Sequence, residues 1–209
     1  MNISRAATGL VCALLVTSLA GGAGTLCAKS TDPVAPTRIR ATILRVTGDN
    51  VEVTARGGKL ATARLTADTS LFAVTQGTIA DVKPNSFVGS AAIPQPDGTL
   101  KALEVTVFPP GLKSGEGNYP WDLGRNSQMT NGTVGSVVGT RDSTVTVKYP
   151  NGEKRIVIPA DVPVVQLAMG DRSLLVPGAH VVLFVTRAPD GTQVLQGALV
   201  GKNGLVPPM

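Results

Sequence analysis

The chain has 209 residues, 43% of them hydrophobic and 16% charged, with 24 Gly and 15 Pro. That balance excludes a disordered chain and describes a turn-rich globular one. The net charge of +5 comes from scattered Lys and Arg without a basic run, which argues against the clustered electrostatic footprint of a nucleic-acid binder.

The first element in chain order is an export signal over residues 1–28. Arg5 precedes an apolar run from Ala6 to Ala20, and small residues follow, the order of a secretory signal peptide. Ala20, Ala23 and Ala28 each offer a small residue at which cleavage could fall. Cys27 raises the question of a lipid anchor, but Leu26 stands before it where lipoprotein processing prefers a small residue. Cys12 lies inside the apolar run, so the mature chain keeps at most one Cys and no internal disulfide is expected. No later segment approaches the roughly 18 apolar residues of a membrane helix. The expected product is a periplasmic or secreted protein that is not integral to the membrane, with residues 29–37 as an N-terminal linker.

Beyond the linker the chain repeats itself. QPDGT ends at Thr99 and APDGT at Thr192, an offset of 93 residues. The same offset relates Asp49 to Asp142, Asp68 to Asp161, Gly77 to Gly170, Pro84 to Pro177 and Val88 to Val181. Two copies of one unit are therefore expected, over 38–108 and 131–200.

Each copy reads as β. In RIRATILRVTGDNVEVTA a Gly-Asp-Asn turn joins two strands, with Val51 and Val53 on one face of the second. Gly57-Gly58 turns into a third strand. In the second copy Asn151-Gly152 holds the matching position, a strong hairpin signal because both residues tolerate positive φ. An irregular crossing with room for one helical turn follows. Each copy then closes with a hairpin tipped by Asp-Gly. Five short strands in this order predict an all-β protein of two tandem five-stranded barrels, each like the oligonucleotide/oligosaccharide-binding fold. The alternative is two small antiparallel sheets packed as a sandwich.

The order strand, turn, strand, then GDRSLLVPGAHVVLF, then PDGT and a final strand resembles a bacterial family of small exported β-domains of unknown function. The resemblance spans both copies and the segment between them. Some members of that family bear the description metal ABC transporter permease. A permease needs several apolar helices of about 20 residues, and none follows residue 28. The resemblance implies no catalytic or binding residues.

Residues 109–130 join the copies and carry Tyr119 and Trp121, the latter the only Trp of the chain. A flexible linker would lack such side chains. The segment is read as a loop docked between the barrels, with Tyr119, Trp121 and Asp122 as an inter-repeat staple or interaction site. In that reading Trp121 is largely buried against both copies and Asp122 takes a nearby main-chain N–H. Residues 201–209 form a C-terminal tail.

Chemistry is harder to find. His180 is the only His; it matches Phe87 of the first copy and reads as a packed strand position rather than a ligand. With no partner His and no thiol of consequence, no catalytic residues, metal site or cofactor are expected. The PDGT stretches read as hairpin turns, not calcium loops. Asp68 and Asp161 read as turn or cap residues rather than paired catalytic carboxylates. The third strands lack the aromatic platforms that single-stranded nucleic acid needs. The expected function is a non-enzymatic cell-envelope binding or adaptor module, working through the groove between barrels or the linker on an envelope protein or glycan. The alternative is an accessory carrier or enzyme for a small ligand or metal.

Overall fold

Short β-branched segments punctuated by Gly, Asn and Asp cannot sustain long helices, and in the computed structural model they form strands almost throughout. The structure describes residues 36–139 and 142–209. The predicted signal peptide, its cleavage positions, Cys12, Cys27 and most of the N-terminal linker lie outside the described residues. The first copy supplies β1 (Thr37–Thr47), β2 (Asn50–Ala55), β3 (Leu60–Arg64), β4 (Ser70–Gln76), β5 (Phe87–Pro94), β6 (Leu100–Ala102) and β7 (Val105–Val107). Strand β8 (Gly117–Pro120) follows between the copies. The second copy supplies β9 (Gln128–Val138), β10 (Ser143–Tyr149), β11 (Gly152–Ile158), β12 (Val164–Met169), β13 (His180–Arg187) and β14 (Gln193–Gly201).

The irregular crossings each contain one short 3₁₀ turn, Ile79–Asp81 and Arg172–Leu174, related by the 93-residue offset. The same offset maps β5 onto β13 end to end. It fails in the opening strand: Thr42 lies opposite His180 while Thr133 lies opposite Phe87, so equivalent residues there are 91 apart. At the hairpin tips, Asp97 Oδ1 accepts the Thr99 N–H at 2.9 Å and Asp190 Oδ1 accepts that of Thr192 at 2.9 Å. Gly98 and Gly191 follow those aspartates at φ 82° and 86°, a conformation that costs glycine little. PDGT is a hairpin turn in both copies.

The all-β class and the closed five-stranded barrel are as expected, but the tandem arrangement is not. Strands β1, β2 and β3 of the first copy close into a barrel with β13 and β14 of the second. Strands β9, β10 and β11 of the second copy close with β5 and β6 of the first. Each copy lends its final hairpin to the other. Strand pattern could not reveal this, because the two hairpins are equivalent in length and apolar phase and either fits either barrel. Closing both circuits removes sheet edges that would otherwise stay unpaired.

Between the barrels β4 and β12 pair antiparallel, with Val74 opposite Leu167. Those two residues are themselves 93 apart, so this pair marks an approximate two-fold relation between the copies. Reciprocal bonds surround it: Gly77 N–H donates to Val164 O at 2.8 Å, and Gly170 N–H to Leu71 O at 2.9 Å.

Three apolar clusters hold the fold. Ile43, Val51 and Val53 pack with Val181, Leu183 and Leu195 inside the first barrel. Val88, Ala92 and Leu100 pack with Val134, Val145 and Ile156 inside the second. Val74, Val165, Leu167, Val182 and Leu199 form the third, where the copies meet. Each barrel core mixes residues of both copies, so neither copy can bury its apolar face alone.

Candidate functional site

The segment between the copies is a hairpin arm, not a loop. Strand β8 pairs with β9, with Tyr119 opposite Met129. Trp121 N–H then donates to Ser127 O at 2.8 Å, closing the turn that leads into β9. This arm belongs to the second barrel through β9 and reaches the first through β1. The Arg38 guanidinium lies 3.9 Å from the centroid of the Trp121 ring, a cation–π stack. Asp122 accepts from Arg38 Nε at 3.1 Å and in two-pronged fashion from Arg40, at 3.1 and 2.9 Å. Arg40 holds the Asp122 carboxyl below its ordinary pKa, with the nearby charges of Arg40 and Arg38 acting in the same sense.

The geometry of these residues differs from the expectation in two details. Trp121 is half-buried rather than largely buried, and Asp122 pairs with two guanidinium groups rather than a main-chain N–H. Half-buried arginines on β1 and a carboxylate more than 80 residues away cannot be matched from sequence distance alone.

Below this arm lies a cavity of about 710 Å³. Phe72, Phe108, Leu167, Phe184 and Leu199 supply apolar wall from both copies, and Tyr119, Trp121 and Met129 supply it from the arm and β9. The half-buried Arg38 and the exposed Lys113 are cations on its lining. Among the described residues its one acidic lining side chain is Glu104, which has no solvent exposure.

A bulge aims Glu104. Ala91 O accepts both Leu103 N–H at 2.7 Å and Glu104 N–H at 3.4 Å, so Leu103 is an extra residue between β6 and β7. The second copy repeats the irregularity: Phe184 pairs with Gly197 and Val185 with Leu195, which leaves Gln196 over. Bulges of this kind redirect side chains. In the first copy the redirected residue is Glu104; in the second, at the 93-residue equivalent, it is Gly197. The Glu104 carboxyl accepts Ala91 N–H at 2.9 Å and the Thr106 hydroxyl at 2.9 Å. Burial raises its pKa to about 7, and those two bonds only partly oppose the shift. Among the described residues no neighbouring cation contributes to that balance.

Asn131 completes the polar lining. Its Nδ2 donates to Ser114 O at 3.1 Å and to Tyr119 Oη at 3.0 Å. Its Oδ1 and the Trp121 Nε1 are buried without a hydrogen-bond partner among the described residues. Burying such groups unpaired is costly. Gly89 makes room for Asn131: a Cβ there would stand 2.5 Å from Asn131 Oδ1 and 3.3 Å from Phe108 Cε2.

The remaining sequence candidates sit apart from this cavity. His180 occupies its strand as expected, half-buried, with Nδ1 3.1 Å from the Thr42 hydroxyl. Asp68 and Asp161 lie in equivalent turns before β4 and β12. The first of these is closed by the Thr69 hydroxyl, which accepts from Thr66 N–H at 2.9 Å, so Asp68 is not its cap. Among the described residues no group of three or more His, Cys, Asp and Glu comes together, and no helix is long and apolar enough to cross a membrane.

Sequence reading passed over Glu104, Asn131, Arg38 and Arg40. One signal was present for Glu104. Glu104 and Thr106 stand where the other copy has Gly197 and Leu199, so an acid occupies a strand face that its equivalent leaves to small and apolar residues. No family model matches this chain, and neither a curated protein nor a solved structure matches it.

Proposed function

We propose that this chain is an exported, non-enzymatic binding protein of the bacterial cell envelope, and that its ligand seat is the cavity between the two barrels and the arm. The observation that carries this reading is the cavity itself: about 710 Å³, walled by aromatic and aliphatic side chains and holding a few buried polar groups. Ligand sites are typically concave, mostly apolar and furnished with a small number of placed polar atoms. Export rests on Arg5, the apolar run and the small residues that follow, together with the resemblance to exported β-domains. The test is a small-molecule screen on the mature chain by thermal shift, with Trp121 fluorescence as a local reporter. Compounds that raise the melting temperature and alter the Trp121 signal support the reading. Compounds that stabilise without touching that signal place the ligand elsewhere.

A second reading, a carrier or enzyme for a small ligand, draws on Glu104 alone. A carboxyl titrating near neutrality suits general acid–base work. Chemical turnover of a bound compound by the wild type, lost in Glu104→Gln, would favour it.

A further inference from the structure

From the polar groups of this cavity we infer the chemical class of its occupant: a small organic ammonium with an apolar body, its cationic nitrogen seated between Glu104 and Asn131. The inference rests on the cavity being the ligand seat. Three features of the lining lead to it.

The first is a pair of acceptors with lone pairs to spare. The Glu104 oxygens each receive one hydrogen bond, from Ala91 N–H and the Thr106 hydroxyl, and an ionised carboxylate can accept about twice that number. Asn131 Oδ1 receives none among the described residues. Both groups border the same short stretch of β5: Glu104 bonds to Ala91, and Asn131 lies opposite Gly89. An ammonium group brings three donors to such a place.

The second is uncompensated charge. Glu104 is fully buried, and among the described residues no cation offsets it. The cations on the lining are engaged or solvated. Arg38 is held by Asp122 and lies against the Trp121 ring, and Lys113 is exposed. A buried carboxylate without a partner is costly, and an incoming cation that pairs with it recovers much of that cost.

The third is the wall. Phe72, Phe108 and Phe184 surround an apolar volume, and aromatic faces attract an organic cation as well as its hydrocarbon. The anion alternative meets the opposite chemistry, since it would enter beside Glu104. A neutral alcohol would satisfy one acceptor and leave the charge unmatched.

The experiment uses three probes of one shape: 4-phenylbutylamine, 4-phenylbutanol and 4-phenylbutanoate, titrated calorimetrically into the mature chain at neutral pH. The amine should bind about tenfold or more tighter than the alcohol, the margin of one charge-assisted hydrogen bond, and the acid should bind weakest. Glu104→Gln, whose amide can still accept from Ala91, should erase the preference while circular dichroism shows the fold intact. Equal affinities for amine and alcohol in the wild type overturn the assignment of class and leave the ligand seat standing. Tighter binding of the acid also overturns it. If none of the three binds and none alters Trp121 fluorescence, the ligand seat and its class fall together. The wild-type comparison decides the matter even where the variant folds poorly.

Discussion

The main-chain N–H of Ala91 donates to Oε1 of Glu104 at 2.9 Å, in the interior where two halves of a duplicated chain meet. A carboxyl in such a place is supported by hydrogen bonds yet penalised by burial, and burial is the larger effect.

That imbalance sets a pH dependence. The folded-state pKa of Glu104 is raised from 4.5 to about 7, so the unfolded chain releases the proton first as pH rises. Its contribution is fully present below about pH 4.5 and is lost as pH rises through about 7, by roughly 3 kcal/mol in all. Glu104→Gln should remove this slope and be more stable than the wild type at pH 8, with little difference near pH 4. Urea unfolding of both proteins across that range checks it; parallel stability curves would show that burial leaves the Glu104 pKa unshifted.

Trp121 carries less stability than a fully buried Trp, whose truncation costs about 3–5 kcal/mol. Being half-buried, with one face stacked on Arg38, it should lose about 2 kcal/mol on mutation to Ala. A urea midpoint unchanged in Trp121→Ala would place the ring in solvent.

Asp122 acts at the opposite end of the pH scale. Arg40 and Arg38 hold its pKa below the ordinary value, so its contribution is present above about pH 4 and is lost as pH falls through the depressed folded value. The side chain is 44% exposed, so water and salt screen the pair, and Asp122→Asn should cost about 1 kcal/mol or less. The difference should shrink in high salt and vanish in acid; an equal loss at pH 2 would point to packing instead.

Gly132 lies opposite Val88 in the β5–β9 pair, and a methyl group there would overlap the main-chain carbonyl of Lys148. Backbone on both sides leaves no easy relief. Gly132→Ala should destabilise by about 2 kcal/mol or more and open the second barrel. Thermal melts showing a wild-type transition would mean that β9 and β10 separate more readily than their pairing implies.

The exchanged hairpins predict cooperativity. Each barrel holds strands of both copies, so unfolding one dismantles the other. Calorimetry should record one transition for residues 36–209, as a single cooperative unit requires. Two resolved transitions would contradict the interlocking.

Much of this protein was legible in its residues. Alternating β-branched segments dictated strands such as β2 and β10, Asp-Gly dictated the hairpin tips, and the PDGT spacing exposed the duplication. These are local effects: backbone propensity and turn chemistry act within a few residues and leave a periodic trace. The Tyr119–Trp121 stretch also declared itself, because aromatic side chains rarely stay in water in a linker. Only the tertiary structure decided which hairpin closes which barrel, since two equivalent hairpins present the same apolar pattern. It alone brought Asp122 to Arg38 and Arg40, more than 80 residues away. It also turned Glu104 inward, where alternation along LEVTV would have left the carboxylate in solvent. The cause is a one-residue bulge and neighbouring strands on both sides, and neither is written in the periodicity of the strand that carries it.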